Sequence, residues 1–569
     1  MKRRKAILTL ALAASMMLTA CGGGIEKSEA ASAPAQSSAA VAASTDNAAA
    51  ESTAPAETAE SAAAEAAAPE AAGGQKLVIG QSMTYTTLDP ANCYESESEM
   101  ILHNTYNTLL VPEVGDDANL LPSAAESWTI SDDGLTYVFK IKEGVKFTTG
   151  KEMTAEDAAY CLNRLQGIKG NPSFLLDTME SAEATGDYEL TLKLNQVNPA
   201  ILSILSRGFF GIYDSEVAKA NGGTCDENDT FQSYADANPS IGSGAYQITS
   251  YTSGSEVVMD KFADAVLTVG NLDRVIVRNI DDSSTQQMEL QAGDLDIAMN
   301  LTADHTDLMT NLESIQLINS ASFDIFFLML NASEEYGKEL ANPKVREAFR
   351  YALDYEGLCL LAGNGAKTPM SIIPDGFFGY AGDTTITRDV DKAKELLAEA
   401  GYENGFEFTC GVIPDMAPDG VSFMTCAEKI AMDLAEIGVT MKIDSQEVSV
   451  YLQGYRDGTQ QAVVGQWGPD YFDSLNQLAF LPGEMVGLRA GWTAEMAPEL
   501  SEKGKAASME TDDAARKALI EEIQADMEAE ASPFIVYLQP GRVLAVDSQL
   551  ENVIPSSGYM LDFSVINFK

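Results

Sequence analysis

Leu121-Pro122-Ser123-Ala124-Ala125-Glu126-Ser127-Trp128 is followed by Asp132-Asp133-Gly134-Leu135-Thr136-Tyr137-Val138-Phe139 and then by Gly144-Val145-Lys146-Phe147. Within this stretch, residues 136–142 set Tyr137, Phe139 and Ile141 against Val138 and Lys140, the two-residue period of a half-buried strand. Gly134 and Gly144 stand at its two ends, where hairpin turns call for positive φ.

The same period returns at residues 188–194, with Leu190, Leu192 and Leu194 against Thr191 and Lys193. Helices alternate with these strands and show themselves by their caps. Thr154-Ala155-Glu156-Asp157 has the form of a capping box with Asp in place of Glu, and Ala158, Cys161, Leu162 and Leu165 follow at helical spacing. Asn342 and Pro343 make an N-cap and first turn ahead of Val345, Ala348, Phe349 and Ala352. Residues 390–400 carry Ala393, Leu396, Leu397 and Ala400, and Gly401 ends the run. The pattern is mixed α and β without internal repeats. A body running from residue 76 to 569 is too long for one core, so two or more lobes are expected.

These residues carry a resemblance. The opening segment is similar to the signature of the family 5 extracellular solute-binding proteins, the oligopeptide, dipeptide and nickel-binding components of ABC importers. Further matches follow in order: Thr154-Ala155-Glu156-Asp157, Gly242-Ser243-Gly244-Ala245-Tyr246, Gln291-Ala292-Gly293-Asp294-Leu295-Asp296, Asn342-Pro343-Lys344-Val345-Arg346 and Ala400-Gly401-Tyr402. Gly242 and Gly244 read as places where backbones pass closely. The resemblance covers essentially all of residues 76–569. It implies an α/β, two-lobed periplasmic-binding-protein-like (class II) fold with an extra inserted subdomain and a ligand cleft between the lobes. Lobe I would be residues 76–330, with the insertion at about 112–238, lobe II residues 331–540, and residues 541–569 a return to lobe I. Residues 326–331, apolar and then polar, would be one crossing between lobes that close by hinge motion.

The same resemblance points to Trp467-Gly468-Pro469-Asp470-Tyr471-Phe472-Asp473. In the peptide-binding branch an aspartate just after such a tryptophan takes the peptide α-ammonium, and Asp470 occupies that place. A carboxylate desolvated in a closing cleft pairs strongly with one ammonium, while Trp467 and Tyr471 supply apolar wall and cation–π surface. Gly-Pro-Asp is also ordinary turn chemistry. Tyr94, Glu95 and Glu97 follow Leu88-Asp89-Pro90, in the region where family members line the cleft from the first lobe. The two glutamates also suit a cationic substrate or a plain surface loop. Dipeptide-binding relatives carry an arginine upstream of the aspartate for the ligand carboxylate, but no arginine lies between Arg388 and Arg456. Lys429 and Lys442 fall in a segment that reads as amphipathic helix and strand, hence as surface residues. A longer peptide held by its backbone would not need that arginine.

The N-terminus supplies the address. Lys2, Arg3, Arg4 and Lys5 precede an apolar run at residues 6–18, the pattern of a signal peptide ending at residue 20. Leu18-Thr19-Ala20-Cys21-Gly22 resembles the bacterial lipobox, which makes Cys21 the lipidation site and the lipid the membrane anchor on the outer face of the cell membrane. Residues 21–75 are Ala, Ser, Glu, Thr, Pro and Gly with little else, a disordered stalk that cannot bury enough apolar surface to order itself.

Composition narrows function further. Acidic residues number 85 against 36 basic, a net charge of −49, which disfavours nucleic acid as a partner. Two histidines, His103 and His305, argue against a histidine-rich metal site, and no cofactor or metal is expected. The six cysteines besides Cys21 lack CxxC spacing; Cys410 and Cys426 are the pair to inspect for a disulfide. No GxSxG, HExxH or serine–histidine constellation points to an extracellular hydrolase. The expected role is a monomeric importer component that captures a small ligand, an oligopeptide ahead of a nickel chelate, opine or oligosaccharide, and passes it to ABC permease subunits.

Overall fold

In the computed structural model, residues 74–569 are described, apart from 86 and 364. The signal segment, Cys21 and the stalk up to residue 73 lie outside the described residues.

The alternation read from residues 136–142 and 188–194 builds a sheet. Tyr137, Phe139 and Ile141 of the strand Thr136–Ile141 are buried, as are Leu190, Leu192 and Leu194 of Glu189–Leu194. Antiparallel pairing sets Tyr137 opposite Leu192 and Phe139 opposite Leu190, so both apolar rows share one face. Ala125–Ile130 and Met179–Gly186 flank them in a four-stranded sheet. The helix Ala155–Gly167 closes the face with Leu162 and Leu165. Its start is the expected box: Asp157 accepts both the backbone N–H and the hydroxyl of Thr154 at 3.0 Å.

Arg164 on this helix is 0% exposed. Its guanidinium donates to Asp89 at 2.7 and 2.8 Å, to Asp229 at 2.8 and 2.9 Å and to the Tyr213 hydroxyl at 2.9 Å. This network fastens the segment before the first helix to the four-stranded unit. Gly134 and Gly144 have φ of +69° and +81°. At Gly244 a Cβ would sit 2.5 Å from the Thr105 carbonyl carbon, so two backbones pass where a side chain cannot fit.

A seven-stranded mixed sheet surrounds the first strand, Lys76–Gln81, which pairs in parallel with Arg274–Asn279 and Ile297–Ala298. The late strand Gly541–Asp547 returns into this sheet between Ile297–Ala298 and Ile315–Ala321. A separate five-stranded sheet holds, in order, Thr440–Ser445, Glu407–Val412, Ala462–Trp467, Ile325–Leu330 and Phe534–Leu538. Phe326, Leu328 and Leu330 enter the core on one face of this sheet, and Ile325, Phe327 and Met329 the core on the other.

That placement moves the crossing expected at residues 326–331. A strand apolar on both faces is a sheet interior, and Ile325–Leu330 lies wholly in the five-stranded sheet. The chain passes between sheets at Ser322-Phe323-Asp324 and again at Gln539-Pro540. The two passages are bonded to each other: Gln539 Nε2 donates to the Ser322 carbonyl at 2.7 Å, and Ser322 N–H to the Pro540 carbonyl at 3.1 Å. Cys410 and Cys426 share the core of the five-stranded sheet as free thiols, and no disulfide joins any of the described cysteines. No helix among the described residues is long and apolar enough to cross a membrane.

Candidate ligand cleft

Asp470 is presented by two rigid elements. The strand Ala462–Trp467 ends where Trp467 pairs with Ile325, and Gly468-Pro469 leaves the ladder because proline has no N–H to continue it. The 3₁₀ turn Ser474–Phe480 follows, capped by Asp473, which accepts the Leu475 N–H at 3.0 Å and pairs with Arg516 at 2.6 Å. Asp473 is thereby structural, and Asp470 projects from the link between strand and turn. The Asn476 amide donates to Asp470 Oδ2 at 2.9 Å, and its own oxygen accepts Trp467 Nε1–H at 3.0 Å. The Trp467 ring rests edge-on against Phe480, with centroids 5.4 Å apart.

From the side of the four-stranded sheet's core, the Tyr94 hydroxyl donates to Asp470 Oδ1. Tyr94 is held by Phe174 and Phe209, at 5.8 and 5.6 Å between centroids. Burial and the Asp470 charge push the Tyr94 phenol up, so it stays protonated and acts as a donor. Asp470 therefore meets two neutral donors, and it forms no ion pair among the described residues.

A cavity of about 350 Å³ opens beside this contact, with Phe174, Leu175 and Ile204 on one wall and Trp467, Asp470 and Tyr471 on the other. Arg207, ion-paired with Glu99, lies over the Phe472 ring at 4.4 Å across the seam. A larger cavity, about 740 Å³, adjoins Gln81, Glu97, Asp324, Asp419 and Arg542. The two regions are continuous along the chain: Glu97 lies three residues past Tyr94, and Gly468 lies against Asp324, a Cβ there meeting Asp324 Oδ1 at 2.7 Å. Arg542 reaches across to Asp419 at 3.1 Å, and Asp419 also accepts the Ser322 hydroxyl at 2.6 Å.

Trp467, Asp470, Tyr471 and Tyr94 thus come together. Glu95 does not join them: its carboxylate accepts the Tyr94 backbone N–H at 3.1 Å where the helix Ser96–Thr105 begins, and it borders neither cavity. Lys442 pairs with Glu407 at the surface, whereas Lys429 is partly buried between Asp354 at 2.8 Å and Asp433 at 2.7 Å. Asn476, Gln81, Asp324, Asp419 and Arg542 escaped the sequence reading. Only Ala417-Pro418-Asp419-Gly420 carried a signal, that of a turn. Among the described residues no group of three His, Cys, Asp or Glu is placed to hold a metal ion.

Two sheet-based lobes joined by a paired crossing, with cavities between them, define a solute-binding clamp. Residues 119–484 match the bacterial extracellular solute-binding proteins, family 5 Middle. The chain belongs to the family 5 bacterial extracellular solute-binding proteins. Heme-binding protein A of Haemophilus influenzae is 28% identical over 418 residues, covering 68% of this chain and 73% of its own. The dipeptide-binding protein of Escherichia coli is 28% identical over 400 residues, covering 66% and 72%. Among solved structures, HbpA2 from Haemophilus parasuis has a TM-score of 0.76 at 23% identity, covering 87% of this chain and all of its own. DppA from Helicobacter pylori, in complex with the peptide STSA, has a TM-score of 0.70 at 24% identity, covering 87% and 98%. These likenesses establish the two-lobed binding-protein fold. The chain is a ligand-capturing component of an ABC importer, exported and not an enzyme.

Proposed function

We propose that the captured ligand is a peptide whose α-ammonium is held by Asp470, with Trp467 and Tyr471 as its wall and Tyr94 as the partner residue from the first lobe. The carrying observation is a carboxylate at an inter-lobe seam that, among the described residues, meets only neutral donors, Tyr94 and Asn476. An arriving ammonium supplies the missing counter-charge, and charge-assisted bonds in a water-poor cleft are the strong ones. A relative named for dipeptides and a fold neighbour in complex with a peptide support this reading. Glu95 positions Tyr94 by accepting its backbone N–H. In this proposal lobe I comprises residues 76–321 and 541–569 with the insertion at about 112–238, lobe II residues 325–538, and the protein acts as a monomer.

The reading makes the free amino group decisive. A tripeptide panel is expected to raise the melting temperature of the purified protein, while the N-acetylated counterparts raise it little or not at all. Equal shifts from free and acetylated peptides would remove Asp470 from the ammonium role. We further propose that Cys21 carries a lipid that holds the protein beside its permease, with residues 22–75 as the tether. Cys21→Ser is expected to move the protein from the membrane fraction to the soluble fraction. Unchanged membrane retention would refute the anchor.

A further inference from the structure

We propose that the larger inter-lobe cavity is a subsite for a cationic side chain, so that the favoured peptides carry lysine or arginine near the amino end. The proposal rests on the peptide reading above and adds the class of residue selected.

The cavity, about 740 Å³, is of a size that small ligands fill. Its wall is rich in acceptors. Gln81 is 1% exposed, and its Oε1 has no hydrogen-bond partner among the described residues, while its Nε2 sits against the Met560 sulfur at 3.1 Å. A buried carbonyl oxygen without a donor is costly, and such groups mark where a donor arrives. Among the described residues Glu97 accepts a single side-chain bond, from the Thr84 hydroxyl at 3.2 Å. Three carboxyl groups, from Glu97, Asp324 and Asp419, face one guanidinium, Arg542, which is already committed to Asp419.

The electrostatics register the same shortage of positive charge. Burial, and next the Asp419 charge, push the Asp324 carboxyl up to about 8, against the opposing pull of Arg542. Burial likewise raises the Glu97 carboxyl. A lysine ammonium or arginine guanidinium would supply both the donors and the charge that this wall lacks. A metal ion fits less well, because the acceptors do not gather into a coordinating group and Arg542 shares their space. Arg542 Nη1, also without a partner among the described residues, suits a backbone carbonyl of the same peptide.

Chain geometry places the selected residue. Gly468, two residues before Asp470, abuts Asp324. An extended peptide advances roughly 3.3–3.6 Å per residue, so a ligand anchored at Asp470 brings its second or third side chain to the cavity.

The test is calorimetric titration of the purified protein at pH 7 with Ala-Lys-Ala, Ala-Ala-Lys, their norleucine counterparts and agmatine. At least one lysine peptide is expected to bind about tenfold or more tightly than its norleucine isostere, the affinity equivalent of one modest charge contact. Glu97→Gln and Asp419→Asn, tested separately so that one folding failure leaves the other readable, are each expected to shrink that ratio. Equal affinity for lysine and norleucine peptides overturns the cationic subsite and leaves the peptide reading standing. Agmatine binding that Glu97→Gln weakens, without binding of any of the lysine or norleucine peptides, keeps the cationic subsite and overturns the peptide reading. Absence of binding by every probe overturns both.

Discussion

Asp470→Ala is expected to abolish the thermal stabilisation that short peptides confer, while the unliganded protein melts nearly as before. Removing one partner from a desolvated, hydrogen-bonded charge pair costs about 2–5 kcal/mol of binding, so Kd should rise by roughly 30-fold or more. The unliganded protein loses only two bonds, one from the partly exposed Tyr94 and one from the buried Asn476. Asp470→Asn is the sharper variant, because it keeps an acceptor for Tyr94 and removes only the charge. An aspartate acting through charge predicts a large loss in both variants; an aspartate that merely shapes the Gly468-Pro469 turn predicts a large loss only in the alanine variant. Peptide response retained in both would remove Asp470 from the site.

Arg164→Met is expected to be strongly destabilising. It leaves Asp89 and Asp229 buried opposite an apolar chain, and losing one partner of a buried pair costs about 3–5 kcal/mol. The sign of the pH dependence identifies the cause. In the native protein burial pushes the Asp229 carboxyl up, but its bonds to Arg164 more than offset this and hold it below the usual range. A depressed carboxyl contributes stability that is present above its unfolded pKa, near ~4, and is lost as pH falls through the folded value. Without Arg164 the Asp229 carboxyl loses the bonds that hold it down, burial then favours its protonated form, and acid stabilises the variant's fold. The gap between native protein and variant, measured by denaturant unfolding, should therefore narrow from pH 7 toward pH 4. A gap constant with pH would point to lost packing around Tyr213 and Phe231 in place of lost charge pairing.

What the sequence showed and what it hid divide along a physical line. Strands with one wet face were legible, because Tyr137, Phe139 and Ile141 alternate with polar neighbours, and so were caps such as Thr154 with Asp157. The strand Ile325–Leu330 was misplaced as a crossing because it is buried on both faces and shows no alternation. The Asp470 end of the cleft was legible because Trp467, Asp470 and Tyr471 lie in one short segment. At the other end only Glu97 was legible. Gln81, Asp324, Asp419 and Arg542 come from separate places in the chain and meet only after both sheets have formed. Arg542 in particular belongs to a returning strand whose position in the first sheet no local pattern foretells.

The paired passages at Ser322–Asp324 and Gln539–Pro540 have a kinematic consequence. One connecting strand would let the lobes swivel and twist about it. Two passages side by side, tied by the Gln539 and Pro540 bonds to Ser322, act as a flat strap that resists torsion and shear and yields in a single bending direction. The lobes then share essentially one degree of freedom.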